Sequence, residues 1–358
     1  MNASACVLSS ATGTLRNCVA AAVRAPSGDN TQPWRFEIDA AAACISVFVD
    51  ESRDPSPMNA GQTMARIACG AAVENMLLEA SAEGWNACLE EGNGACVATI
   101  RLAQGSSGSA ESKHNSRDTI RNRTTNRRLY DGRSLSPSEL SNLTKSTPIL
   151  DGVRTHWFAD RGRIDGLARL IGAADGIMFG ERSMRNGFLS NIRFDCAPND
   201  EVSVGLPLAS LELSTIDRYA MRAMPHIPTA FLKATGGLQL FSAHAGKLVR
   251  SASGICLLSA PKAAGHSLFR TGRAMQRAWL GLTELGMAAQ PMMSLLVLAN
   301  ALDHGTAELI HSLRRERIEA LLEQLRSLLP ELSGDRPMFL MRFGFAPAPS
   351  GRTGRLKP

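Results

Sequence analysis

The sequence predicts an α+β fold built from two units in tandem. Its 358 residues are more than one core of ordinary size needs, so two units are expected. Helical and strand-like patterns alternate in the first third of the chain, and the same succession returns later with a long insertion. A polar run rich in glycine and serine, residues 103–115, predicts a linker or mobile loop between them. We therefore expect a first unit over 1–115 and a second over 116–358.

The first unit is predicted from its hydrophobic periodicity and its proline and glycine residues. A helix over Leu15–Arg24 leads into a turn-rich stretch, Ala25–Trp34, in which two prolines and a glycine interrupt regular structure. A second helix carries apolar side chains, from Met64 to Leu78, on one face. The expected elements after the turn are strands near 36 and over 44–49, that helix over 60–83, and strands over 86–89 and 97–102.

The second unit opens at Arg121, and its first helix has a clear start signal. The run Ser136-Pro137-Ser138-Glu139 combines a capping box with proline at the first helical position. Residues 162–237 contain helical patterns broken by prolines, and we interpret them as an insertion that forms either a lid or a substrate-specificity pocket. The other expected elements are strands over 153–158 and 254–259, helices over 268–285 and 308–328, and a strand over 338–345.

Composition is that of an ordinary globular protein. Hydrophobic residues make up 44% of the chain and charged residues 20%, which argues against a fibrous or disordered protein. The longest apolar run, Met292 to Leu302, is too short to cross a bilayer, and the N-terminus lacks the pattern of a leader. We expect no membrane partner and a cytoplasmic location. The seven histidines are scattered, so no metal site is predicted.

A basic cluster over 121–128 has two possible interpretations. With a formal net charge of +6, it could be a solvated or nucleic-acid-binding surface. However, its arginines alternate with the hydroxyls of Thr124 and Thr125 just before a helix. Guanidinium forks and hydroxyls together suit the oxygens of a phosphate, which favours a bound phosphoester.

These segments resemble the nitroreductase family of flavoproteins. In that family, Arg-x-Ser/Thr-x-Arg opens the subunit and Ala-Pro-Ser-x-x-Asn-x-Gln-Pro-Trp follows. This chain has Arg123-Thr124-Thr125-Asn126-Arg127 and the 25–34 turn, but in reversed order. A third similarity spans Gly272–Met292, where Gln276-Arg277 precedes Gly286-Met287-Ala288-Ala289-Gln290-Pro291-Met292. The resemblance covers nearly the whole chain apart from 162–237.

The resemblance implies a nitroreductase-like fold in which the two halves form a pseudo-dimer, within one chain, around antiparallel sheets. Ordinary family members are two-fold dimers whose FMN lies between subunits and contacts both motifs. Because each half of this chain carries one motif, the resemblance implies one complete site and one FMN per chain. Fused members of the family include a branch that resembles flavin-sequestering proteins, in which a lid closes over the cofactor.

Roles for individual residues also follow from the resemblance. Arg127 would be the cation beside the N1 and C2-oxygen edge of the flavin, where reduction places negative charge, and it is the expected catalytic residue. The expected cofactor-binding residues are Pro26, Ser27, Gly28 and Asn30 on the ring, Arg123, Thr124 and Thr125 on the phosphate and ribityl chain, Gln290, Pro291 and Met292 near N5, and Arg352 and Arg355 on the phosphate.

The sequence supports two functions of different classes. The leading one is an FMN-dependent oxidoreductase acting on a nitro compound, a quinone or a biosynthetic intermediate, with NADH, NADPH or neither as donor. The alternative is an FMN-sequestering protein with little turnover. Nucleic-acid binding is disfavoured, because the second basic run, 314–317, includes an acid and lies on an amphipathic helix. Since the family's dimer interface would be internal, we expect a monomer or a weak homodimer.

Overall fold

The computed structural model describes residues 3–105, 110–147, 150, 152–196, 203–261 and 266–358. The protein mixes helices with two four-stranded antiparallel sheets and one short parallel strand pair. None of the described helices is both long and apolar enough to span a membrane.

The first unit contains the predicted helices and strands, although the bounds of most of them differ from the prediction. Its elements are α1 Ala3–Ala22, β1 Trp34–Asp39, β2 Cys44–Val49, α2 Thr63–Ala82, β3 Trp85–Glu91 and β4 Cys96–Gln104. The strands form one sheet in the order β1-β2-β4-β3. Two predictions need correction. Helix α1 begins twelve residues earlier than expected. Helix α2 is buried on nearly all sides rather than along one face, because α1, the sheet and the helix Ser267–Glu284 of the second unit all pack on it.

Two helices join the units. They are α3 Ala110–Asn122 and α4 Pro137–Ser146. The predicted linker over 103–115 is therefore too long, since β4 continues to Gln104 and α3 begins at Ala110; residues 106–109 lie outside the described part. The expected boundary at 115/116 falls inside α3. The capping box that starts α4 is confirmed, with reciprocal hydrogen bonds between Ser136 and Glu139.

The second unit contains a sheet with an inserted helical region. Its elements are β5 Arg154–Phe158, α5 Arg161–Gly180, α6 Arg182–Ser190, β6 Ile192–Arg193, β7 Leu206–Pro207, α7 Thr215–Ala223, α8 Thr229–Ala234, α9 Gly237–Arg250, β8 Gly254–Ala260, α10 Ser267–Glu284, β9 Ala288–Pro291, α11 Ser294–His304, α12 Ala307–Ser312, α13 Arg315–Leu328 and β10 Arg336–Gly344. The sheet order is β5-β8-β10-β9. The helix predicted over 308–328 is two helices, because Arg314 takes a left-handed conformation between them.

The two sheets have the same strand order relative to the chain. In each, the first, second, fourth and third strands lie side by side, and a long helix, α2 or α10, connects the second strand to the third. The inserted region lies between the first and second strands of the second sheet. Helices α7 and α8 and neighbouring segments of this region share a small core of their own, which includes Leu206, Met221 and Leu232.

Helices α2 and α10 cross closely at a pair of glycines. A Cβ at Gly70 would overlap the carbonyl oxygen of Phe269, and a Cβ at Gly272 would overlap that of Ile67. One turn further along, the fully buried carboxylate of Glu74 forms ion pairs with Arg273 and Arg277 of α10. This crossing places the two units in direct contact, and its buried ion pairs set the register between them.

Candidate functional site

A cavity of about 530 Å³ lies where the two units and the inserted region meet. This volume is within the range of small-molecule and cofactor sites. Four stretches of sequence supply most of its wall: the turn after α1, the extended segment after α3, β9 with the residues following it, and the inserted region. Residues 54–68, α10 and β10 supply the rest. Three of the four are the segments on which the family resemblance rests.

The turn after α1 is held in a strained backbone conformation. Asp29, Asn30 and Gln32 all have positive φ angles, between 44° and 59°. Such angles are uncommon for residues other than glycine and persist only where the surroundings enforce them. The Asn30 amide donates to the carbonyl oxygens of Gly205, at 3.2 Å, and Gly354, at 3.3 Å. The turn is therefore fixed by the inserted region on one side and by the C-terminal tail on the other.

The C-terminal tail crosses from the second unit to the first. Arg355 donates to the Asn30 side-chain oxygen at 2.9 Å and to the Ala25 carbonyl oxygen at 3.4 Å. The Leu356 amide donates to the Gln32 side chain at 3.0 Å. This tail thus closes one end of the turn, where it brings Arg355 to the segment that contains Arg123.

Arg123, which is buried, and Arg355, which is half-buried, form a cluster of positive charge. Within the described part of the chain, neither has a carboxylate within ion-pairing distance, and the Nε and Nη1 of Arg123 and the Nε of Arg355 are buried without hydrogen-bond partners. Burial, followed by the charges of Arg355 and Arg352, lowers the pKa of Arg123 to about 9. Burial, followed by the charge of Arg24, lowers the pKa of Arg355 to about 10. Burying positively charged donors next to each other without acceptors costs free energy, unless an anion accepts their hydrogen bonds and neutralises their charge.

The guanidinium of Arg123 also stacks on Trp279. Its Cζ lies 4.6 Å from the centre of the ring. Trp279 is nearly inaccessible to solvent and its ring belongs to the cavity wall. Arg123 therefore contacts a residue that forms part of the cavity wall.

Arg127 lies in the cavity wall beside acidic groups. Its Nη1 donates to the Ser210 carbonyl oxygen of the inserted region at 3.2 Å. Burial lowers the pKa of Arg127, and the negative charge of Asp29 is the largest effect that opposes this shift. Burial and, next, the Asp29 carboxylate raise the pKa of Asp54 to about 6. Both aspartates line the cavity together with Arg127, and their like charges make the two carboxyl groups difficult to ionise together.

Gln290 on β9 is positioned by a buried arginine. Arg342, on β10 and fully buried, donates from Nε to the Gln290 side-chain oxygen at 2.8 Å. Its Nη2 donates to the Arg128 carbonyl oxygen at 2.6 Å, and its Cζ lies 3.8 Å from the centre of the Tyr130 ring. Strand β9 also receives the segment after α3, through a parallel bridge between Thr125 and Ala289. Arg342 thus fixes both the 290–292 segment of the wall and the 125–128 segment.

The inserted region supplies the opposite wall, which is mostly apolar. Asp175 on α5 is an exception, and burial raises its pKa to about 7, with an opposing hydrogen bond from Ser294. His244 on α9 is another, and burial lowers its pKa. Phe179 and Phe241 stack on each other with ring centres 4.3 Å apart, so the wall is built from packed aromatic rings as well as from aliphatic side chains.

The structure brings most of the predicted site residues together. Those that line the cavity are Pro26, Ser27, Gly28, Thr125, Arg127, Gln290, Pro291 and Met292. Five others lie outside its wall: Asn30, Arg123, Thr124, Arg352 and Arg355. Of these, Asn30 holds the tail and the inserted region in place, and Arg352 is exposed, with a 3.4 Å hydrogen bond to the Arg121 carbonyl oxygen.

Sequence reasoning missed several residues of the site. Asp54 and His244 stand in no recognisable motif, and Arg342 lies inside an apolar strand. Asp175 did leave a signal, since it is the one acid in the apolar stretch 166–180. Trp279, which we would assign to the core alone, is both buried and part of the cavity wall.

Comparisons with known proteins give distant matches. No family model matches the chain. An uncharacterised protein of Mycobacterium tuberculosis (strain CDC 1551 / Oshkosh), MT1398, is 24% identical over 339 residues, which are 92% of this chain and 45% of that protein. The chain therefore spans about half the length of this curated relative. The solved FMN-dependent nitroreductase NfnB from Mycobacterium smegmatis, in complex with NADPH, is 14% identical with a TM-score of 0.35, over 65% of this chain and 88% of that chain.

Proposed function

We propose that this chain binds FMN and acts as an oxidoreductase of the nitroreductase type on a small organic substrate. The observation that carries the proposal is the pair Arg123 and Arg355 beside a cavity of cofactor size, in which the Nε and Nη1 of Arg123 and the Nε of Arg355 are buried and lack acceptors in the described part of the chain. A phosphate monoester would supply the missing acceptor oxygens and negative charge. The adjoining apolar cavity would take a flat aromatic ring.

The residues present fit the parts of FMN. Arg123, Arg355 and the more exposed Arg352 would hold the phosphate, with Thr124 and Thr125 toward the ribityl chain. The ring would lie between Pro26, Ser27 and Gly28 on one side and Gln290, Pro291 and Met292 on the other. When bound, FMN would supply the hydride chemistry, with NADH or NADPH as a donor. Asn30 would act through the tail and the inserted region rather than by touching the ring.

Within that site, the chain's own residues would set charge and exclude water. The Arg127 guanidinium would stabilise negative charge at the ring edge that it faces. Asp29, whose charge acts on Arg127, and Asp54 line the same cavity, and burial raises the pKa of both carboxyl groups. Arg342 would orient Gln290 through its 2.8 Å hydrogen bond.

The same proposal includes an internal pseudo-dimer. Two sheets of equal strand order, one long helix in each unit and the reciprocal glycine crossing of α2 and α10 all support two related halves. A cofactor between the halves would then contact the 26–28 turn of the first and the 123–127 segment of the second. We further propose one FMN per chain and a cytoplasmic monomer or weak homodimer that acts on small molecules and binds no nucleic acid.

Flavin sequestration is the second candidate, and one feature favours it. The inserted region covers the site, since the Ser210 carbonyl accepts from Arg127 and the Gly205 carbonyl accepts from Asn30. A cover held by hydrogen bonds to the binding residues themselves would slow exchange of cofactor and donor.

Visible spectroscopy tests the proposal and separates its two forms. The purified chain, supplied with FMN and then desalted, should retain an oxidised-flavin band. Bleaching of that band by NADH or NADPH under anaerobic conditions would support the oxidoreductase. A band that persists with both donors would favour sequestration or reduction by another substrate, and a chain that retains no FMN would refute the proposal.

A further inference from the structure

The cavity has a second part that the proposed flavin contacts leave free. Nineteen lining residues come from positions 175–248, and only three of them, Asp175, Asp217 and His244, carry a polar side chain. The rest are apolar side chains and one glycine, among them Phe188, Leu211 and Ile227. We call this part, lined from 175–248, the apolar compartment.

Its entrance combines apolar side chains with one carboxylate. Leu240 lines the compartment and is nevertheless 73% exposed. Ala220 and Asp217, one turn apart on α7, are also both exposed and part of the lining, whereas Met221 on the same helix and Met224 directly after it are buried. Helix α7 therefore extends from the buried interior of the compartment to its mouth.

Methionines give the wall an adaptable shape. Eight of the chain's fourteen methionines line the cavity: Met58, Met64, Met178, Met221, Met224, Met275, Met292 and Met293. Methionine is unbranched and flexible, so surfaces rich in it accept apolar groups of varied outline. Such a wall selects for apolar surface more than for one precise shape.

From these observations we infer that the apolar compartment binds a lipophilic substrate, a molecule with an alkyl chain or polycyclic body that enters past Leu240 and Ala220. The inference rests on the proposed function in one respect, that FMN occupies the part of the cavity near Arg127 and Gln290. The reactive end of the molecule would face that part, and its apolar body would extend along Phe179 and Phe241.

A polar occupant fits the compartment poorly. Asp175 is its deep polar group, and its nearest polar partner is Ser294 within the wall itself. A sugar or peptide would place several donors and acceptors against side chains that offer none, at a cost for each group left unpaired. A lipophilic molecule has no such cost and gains from every methylene that it removes from water.

The test is a chain-length series on the FMN-loaded protein. We would titrate 4-alkylphenols with alkyl chains of two to eight carbons by calorimetry. The dissociation constant should fall by about fourfold for each added methylene. An affinity that does not change with chain length would overturn the inference.

Two pairs of variants locate the binding. Ala220→Trp narrows the mouth, whereas Ala223→Trp makes the same change at an exposed position of α7 outside the lining. The first should weaken the octyl compound at least tenfold and leave the ethyl compound and FMN retention unchanged; the second should change none of these. Leu240→Asp repeats the comparison, with Leu285→Asp, at an exposed leucine outside the lining, as its control. Equal losses within either pair would overturn the inference.

Failure of the proposed function would give a different result. A chain that retains no FMN refutes flavin binding, and the series would then be run on the flavin-free chain. On that chain, a fourfold gain in affinity for each methylene, together with selective loss of octyl-compound binding in Ala220→Trp, would still support binding in the apolar compartment. The absence of both effects would overturn the inference.

Discussion

Replacing Arg123 by methionine should weaken FMN binding and, in the absence of flavin, make the chain more stable. The side chain is 6% exposed, and two of its three nitrogens lack an acceptor. The pKa of an arginine in water is above 12, whereas that of Arg123 in the folded chain is about 9. This difference means that folding destabilises the charged guanidinium by roughly 4 kcal/mol. At pH 7, below both values, the whole of this penalty acts on the folded chain.

Methionine removes the charge and keeps an apolar stem against Trp279. The lost cation–π contact is worth about 1 kcal/mol, so the flavin-free variant should gain about 2 to 3 kcal/mol in its free energy of unfolding. With FMN present, the loss of charged hydrogen bonds of about 1.5 to 3 kcal/mol should raise the dissociation constant roughly 10- to 150-fold. Riboflavin, which has no phosphate, should bind the parent and the variant equally.

The assay is urea unfolding of the flavin-free proteins, with calorimetric titration of FMN and riboflavin in phosphate-free buffer of constant ionic strength. Arg121→Met is the matched control, since that side chain is 71% exposed and lies two residues away. It should change neither stability nor flavin affinity appreciably. A variant at Arg123 that is less stable without flavin, or that loses riboflavin as strongly as FMN, would refute the assignment of this cluster to a phosphate.

Three further predictions concern other parts of the site. Arg127→Ala should lower the flavin midpoint potential by roughly 30 to 60 mV, measured by dye equilibration, and an unchanged potential would argue against its place at the ring edge. Asn30→Ala should speed tryptic cleavage after Arg352 and Arg355 and weaken FMN retention, because it releases the tail; full occupancy after dialysis would contradict this. Asp175→Asn should stabilise the chain relative to the parent by an amount that grows from pH 4 to about pH 7 and then levels off, because only the folded parent keeps its carboxyl protonated there. Urea unfolding across this range measures the difference, and a constant value would oppose the reasoning.

Elements with strong local patterns could be predicted closely from sequence. Strand β2 has the predicted bounds, 44–49. It is rich in β-branched and aromatic residues, which favour strands, and it pairs with β1 on one side and β4 on the other. Strand β9 was missed, since its four residues are poor strand formers and extend only because they pair with β10. Helix α11 was missed for a different reason, as its sequence is apolar on all sides and shows no helical period.

The site was predictable only where a motif marks it. The 26–28 turn, Thr125 and Arg127, and the 290–292 segment do line one cavity, as expected for a shared site. Asp54 and Arg342 act through charge and hydrogen bonds with residues far away in sequence, which no local pattern records. Thr124 and Asn30 belong to the motifs but lie behind the wall, because their neighbours take the positions facing the cavity.

The glycine crossing of α2 and α10 affects how this interface can change by mutation. In a homodimer, any substitution at a two-fold contact appears on both sides at once, so a single methyl group is added twice. Here Gly70 and Gly272 are separate codons of one chain, each facing the backbone of the other helix. A new side chain can therefore arise on one side while the partner helix adjusts on the other, so this contact can drift away from symmetry one residue at a time.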